Sequence, residues 1–145
     1  MSADGHDFVT ATVGGQLCGI PIGCVREVMT TPAIAGIPLA PPEIAGSLNL
    51  RGRIVTAIDL RRRIGLDAPV QARMPSIVVE GDGALYSLIV DGVGEVLHLP
   101  DSDRDALPPA LSPRLREVAQ AVFRLRDGLL VALDVPAILS VGRSA

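Results

Sequence analysis

From Phe8 the chain alternates, with Phe8, Thr10 and Thr12 on one side and Val9, Ala11 and Val13 on the other, the period of two that a strand requires. Gly14-Gly15 then turns the chain and Gln16 to Ile20 returns, so the first element expected is a β-hairpin. Ile22, Val25 and Val28 recur every three residues after Pro21. That spacing predicts one or two turns of helix, carrying Glu27. Residues 30–43 hold Pro32, Pro38, Pro41 and Pro42 and are expected to be loop. The runs IAGSLNL and RIVTAIDL within 44–60 are two further strands, meeting at Arg51-Gly52, where glycine permits the backbone a tight hairpin needs.

Arg61 to Leu66 is expected to form a short helical turn, and Asp67 to Pro75 a connector. Strands are expected at Ser76–Glu80, Leu85–Asp91 and Val93–Leu99, separated by Gly81 to Gly83 and by Gly92. An acidic, proline-punctuated loop over 100–117 follows, with room for a short helix. A last hairpin, Val118–Arg126 with Leu129–Leu133, turns at Asp127-Gly128, and Val135–Val141 is expected to be a short C-terminal helix. Many short strands with turn residues between them argue for a mostly β fold, barrel or sandwich, rather than alternating α/β. Residues 1–7 are polar and expected to be disordered.

A chain of 145 residues suits one domain, and at this size about 70% of the unfolded surface can be buried, so no staple is required. Aromatic residues make up only 2%, with no Trp, so the core is aliphatic and platforms for stacking bases or sugars are absent. All 13 basic residues are Arg, set against 16 acids. The excess negative charge lies entirely after Ala72, and no basic footprint for nucleic acid exists. Two cysteines do not make a disulfide scaffold, which points to a reducing, cytoplasmic setting. The N-terminus has no signal-peptide pattern, and no apolar run approaches the ~20 residues of a membrane helix.

Candidate chemistry is sparse. Cys18 is either a nucleophile with His98 as its base, in a small hydrolase or ligand-binding barrel, or a small buried hydrophobe in the hairpin. Asp101, Asp103 and Asp105 imitate the start of a calcium loop, but Ala106 and Ser112 stand where Gly and a bidentate Glu are needed. No catalytic constellation, cofactor or metal site is expected.

The segment IAGSLNLRGRIVTAIDLRRRIGL, residues 44–66, resembles the most recognisable stretch of the CheW family. Ile44, Gly46, Leu48, Asn49, Leu50, Arg51 and Gly52 match its hairpin, and Asp59, Leu60 and Arg61 its Asp-Leu-Arg ending. IPIGCVREV (20–28), LIVDGVGEVLHLP (88–100) and GLLVALD (128–134) follow the family in kind and order, so the likeness extends from Phe8 to Leu139. Two stretches depart from it: Ala119 to Val122, where the family often has a glycine, and the Ala/Pro-rich 31–42.

The resemblance implies a single domain over 8–141 built of two small five-stranded β-barrel lobes sharing one hydrophobic seam. Their approximate limits are 8–66 and 74–141, with strands open to being shared. It also implies a cytoplasmic, non-enzymatic adaptor without cofactor that joins a chemoreceptor tip to the regulatory domain of the histidine kinase CheA. Such an adaptor serves either a flagellar or another chemosensory pathway. The chain's start at Met1 and end at Ala145 fit a stand-alone adaptor better than an excised kinase or CheV-like segment. The partner-binding residues implied are Val25, Glu27, Val28, Asn49, Leu50, Arg51 and Gly52. Arg51 offers a planar donor fork at a hairpin tip, and Glu27 is its candidate partner. Asn49 is suited to shaping the turn through backbone bonds. Val25, Val28, Leu50 and Ile54 fit either core or groove lining, with core favoured for Ile54.

Overall fold

The computed structural model describes residues 5–67, 70–71 and 73–140. The first hairpin is β1 (Gly5–Val13) and β2 (Gln16–Pro21), followed by a 3-10 turn at Ile22–Cys24 and β3 (Val25–Thr30). β4 (Ile44–Leu50) and β5 (Arg53–Asp59) form the second hairpin, and α1 (Leu60–Arg63) follows directly. Then come β6 (Pro75–Gly81), β7 (Ala84–Ile89), β8 (Gly92–Pro100) and the two-residue β9 (Arg104–Asp105). The chain continues with α2 (Pro113–Val118), β10 (Ala119–Leu125), β11 (Gly128–Leu133) and α3 (Val135–Ile138). Position 141, the expected end of the last helix, lies outside the described residues, as do 1–4 of the expected disordered stretch.

Two expectations are corrected. Residues 25–30 are a strand, not helix: one 3-10 turn absorbs the spacing of Ile22 and Val25, and β-branched Val25 and Val28 then extend along β6. Gly5, His6 and Asp7 are ordered within β1, paired with Pro100, Leu99 and His98 of β8 in that order. Strands from the early and late parts of the chain are shared between the two sheets, the arrangement left open for the lobes. One sheet has six strands in the order β8-β1-β2-β11-β10-β9, and the other has five, β3-β6-β7-β5-β4. The first hairpin therefore belongs with the last strands, joined by the parallel pair Cys18↔Val131.

The packing explains why the two sheets form one body. A shared core takes Val9 and Ile20 from the six-stranded sheet and Ile58, Ile77 and Leu88 from the five-stranded one, with Ile138 of α3. Each sheet also encloses a cluster of its own: Leu48, Leu50, Val55 and Val78 in one, and Phe8, Phe123 and Leu130 in the other. Strand β6 thus contributes to both faces, Ile77 and Val79 to the shared core and Val78 to the smaller cluster. The 31–43 connection is loop with a single bridge, Ala35↔Ser47. Gly46 beside it has φ +148°, and a Cβ there would stand 2.2 Å from the Ala35 carbonyl, so glycine is required.

One buried polar group stands at the junction. Asp59 is fully buried, caps α1 by accepting from Arg61 N, and binds the Arg61 guanidinium at 3.2 Å through each carboxylate oxygen. Arg61 reaches on to Asp91 at 3.5 Å, and Asp91 accepts from Gly14 N at 2.6 Å. Nearby Arg63 donates to the Ala137 and Ile138 carbonyls, tying α1 to α3. Removing one partner of a buried pair leaves an uncompensated charge, so Asp59→Ala is expected to cost about 3–5 kcal/mol. Urea denaturation measures it; a loss under about 1 kcal/mol would show that Arg61 is satisfied without Asp59.

Candidate functional site

The β4–β5 hairpin closes on a two-residue turn in which Arg51 has φ +50° and Gly52 φ +87°. Both central residues are left-handed, as the twist of a two-residue hairpin demands. Asn49 Oδ1 accepts from Gly52 N at 2.8 Å and locks the turn, the role expected of it. Held there, Arg51 projects a side chain that is 71% exposed, and its guanidinium meets Glu27 of β3. Nη1 donates to Glu27 Oε2 at 3.4 Å while Nη2 bonds Oε1, a two-pronged contact. The hydrogen bond from Arg51 holds the Glu27 carboxyl below its ordinary pKa, and the same bond raises that of Arg51. Because β3 and β4 are the two outer strands of the five-stranded sheet, this pair links one edge to the other.

Two exposed apolar residues stand close to the pair along the chain. Val28 is 46% exposed and pairs with Ile77, whereas Glu27 pairs with Val78, so the two point to opposite faces of the sheet. Ile54 is 75% exposed and in the same alternating series as Ile58 of the shared core. Val28 and Ile54 therefore occupy the outer face at the open end of the sheet. Val25 is half-buried against the shared core. Leu50 is core, 8% exposed and packed with Leu48 and Val55, which removes it from the candidate surface. Ile54 was expected in the core and is instead the most exposed apolar residue of the patch. The run RIVTAID is apolar on both faces, so its alternation hides which face is wet.

Residues 7–143 match the family model for the CheW-like domain. The chain belongs to the CheW-like family. It is 26% identical to the chemotaxis protein CheW of Rhizobium meliloti (strain 1021), over 95% of this chain and 90% of that one. Protein PilI of Pseudomonas aeruginosa is 31% identical over 82% of this chain and 67% of its own length. The crystal structure of the scaffolding protein TtCheW from Thermoanaerobacter tengcongensis superposes with TM-score 0.84, at 26% identity, covering 97% of this chain and 96% of that one. CheW-like proteins are scaffold and adaptor proteins of chemotaxis, not enzymes.

The side chains considered for chemistry lie apart. Cys18 is fully buried opposite Ala11 of β1, while His98 sits opposite Asp7, four residues or ~13 Å further along the same strand. His98 Nδ1 bonds Asp7 at 2.6 Å rather than any thiol. Asp101 pairs with His6 and Asp105 with Arg124, so the acidic loop is divided between two side-chain partners. Among the described residues, no helix is long and apolar enough to cross a membrane.

Burial pushes the Cys18 thiol from 9.0 up to about 12. The folded form thus keeps a proton that the unfolded chain releases. The stability this confers is complete below pH 9.0 and declines as pH rises from there toward about 12. In the native protein, half-buried Cys24 is expected to react with a thiol reagent and Cys18 to resist until unfolding. Mass spectrometry of pulse-labelled protein reads this directly; equal labelling of both cysteines would contradict the burial of Cys18.

Proposed function

We propose that the chain is a cytoplasmic adaptor that couples chemoreceptor tips to the regulatory domain of a CheA-type kinase, with the Glu27–Arg51 patch as a binding surface. The observation that carries this reading is the ion pair across the two sheet edges, with exposed Val28 and Ile54 near it along the chain. A structural role alone would leave the pair idle: it is exposed, where ion pairs contribute little to folding, and Arg51 occupies a left-handed position that glycine or asparagine fills more easily. A protein surface covering the patch would desolvate the fork of donors and bury two aliphatic side chains, the composition of an interface hot spot. Val25, Asn49 and Gly52 support the surface by packing and turn geometry, with Leu50 beneath it.

Titration with a receptor signalling fragment and a kinase regulatory domain, each separately, tests the proposal. Arg51→Ala is expected to melt close to wild type and to bind at least one partner about ten- to hundredfold more weakly. Arg51→Glu is expected to bind more weakly still, and the exchange Glu27→Arg with Arg51→Glu to recover part of the loss. Folded variants that bind both partners like wild type would remove the patch from the interface.

A further inference from the structure

Strand β3 changes face part-way along. Val25 pairs with Val79 of β6 and Glu27 with Val78, so Arg26 is an extra residue with no place of its own in the ladder. In a strand of period two, such a β-bulge exchanges the faces of everything beyond it. The packing records the exchange. Val25 and Met29 are four residues apart and would share one face of a regular strand, yet Val25 packs against the shared core and Met29 against the Leu48–Val55 cluster. Without the extra residue, Arg26 would stand opposite Val78, and Glu27 opposite Ile77 on the shared-core side. Glu27 would then leave the face on which Arg51 meets it. Arg26 itself is held from two sides. Its Nε and Nη2 reach Glu80 Oε1 on β6 at 2.9 and 2.8 Å, and Nη1 donates to the Gly23 carbonyl of the 3-10 turn at 3.4 Å.

We propose that Arg26 is a positioning residue for the patch: pinned to Glu80 and to Gly23, it fixes the bulge that turns Glu27 toward Arg51. The inference rests on the reading of the Glu27–Arg51 pair as a binding surface, while its geometric part needs no partner. A guanidinium suits the task because its planar fork spans acceptors on two elements at once. The Arg26–Glu80 pair is exposed, with side chains 47% and 42% accessible, where an ion pair contributes little to folding. Its removal therefore leaves the fold in place and acts on the aim of one neighbouring side chain. The bulge also accounts for the three-residue spacing of Val25 and Val28, which pair with Val79 and Ile77 of a single face.

The titration of Glu27, followed by carboxyl-carbon NMR of the labelled full chain, tests the proposal. In wild type the bond from Arg51 holds Glu27 below its ordinary pKa. In Glu80→Ala, and independently in Arg26→Ala, the protein is expected to melt close to wild type while the Glu27 midpoint rises toward the ordinary value. The sign separates this from a simple charge effect: loss of the Glu80 carboxylate alone removes a like charge and would lower the Glu27 midpoint. The exchange Arg26→Glu with Glu80→Arg restores a pair across the bulge and is expected to bring the midpoint part of the way back down. Glu80→Ala is also expected to bind a receptor signalling fragment or a kinase regulatory domain about fivefold more weakly. A Glu27 midpoint that stays at the wild-type value or falls in both single variants overturns the proposal, as does loss of the fold in them, which would make the Arg26–Glu80 pair structural. A midpoint that rises while both partners bind like wild type upholds the positioning role and sinks instead the reading of the pair as a binding surface.

Discussion

A carboxylate with no exposure to water has to be answered inside the protein, and at Asp59 the answer organises both sheets. Arg61 supplies backbone N–H and guanidinium to Asp59, then reaches Asp91 in the link between β7 and β8. Asp91 in turn receives the amide of Gly14 from the turn of the first hairpin. The end of the five-stranded sheet, the strand entry into β8 and the tip of the six-stranded sheet are thereby held at one point. Hydrophobic burial alone is not directional. The shared core of Val9, Ile20, Ile58 and Leu88 drives the sheets together, and the Asp59 chain of charge-assisted bonds specifies how they meet.

That junction bears on the binding patch because β5 begins at the Arg51 turn and ends at Asp59. With one end of the strand tied down, the register Ile58↔Ile44 to Arg53↔Leu50 determines where the hairpin tip stands. A sheet with two free edges exposes unpaired backbone, which proteins must cover or charge. Here the edge strands carry Glu27 on one side and the Arg51 hairpin on the other, and the two meet. The exposed Glu27–Arg51 pair puts charge on both edges at once. A feature that guards the edges is thus also the surface proposed for a partner.

The hairpins were legible because each turn carries a glycine that tolerates left-handed backbone: Gly14-Gly15 and Arg51-Gly52 fall between their strands, and Gly128 opens β11 directly after the Arg126-Asp127 link. Strand order was not, since alternation specifies which face a residue takes and not which strand lies beside it. The parallel contact of β2 with β11 spans most of the chain and leaves no local mark. Val25 to Thr30 misled because three-residue spacing over so short a stretch suits a 3-10 turn and a strand as well as a helix. In the site, Asn49, Arg51 and Glu27 were readable as a motif, and their meeting across 24 residues of sequence is seen only in the fold. Ile54 lies outside the core that was favoured for it, because RIVTAID is apolar on both faces, while Leu50 takes the core place that was one of its two alternatives.

The central claim is that the surface around Glu27 and Arg51 is where partners dock. Backbone amide spectra of the isotopically labelled chain, recorded as unlabelled receptor fragment or kinase regulatory domain is added, address it without any substitution. Perturbed resonances are predicted to cluster on Val25, Glu27, Val28, Arg51, Gly52 and Ile54 for at least one of the two partners. Saturable binding of both partners with every perturbation confined to the six-stranded sheet would contradict the account.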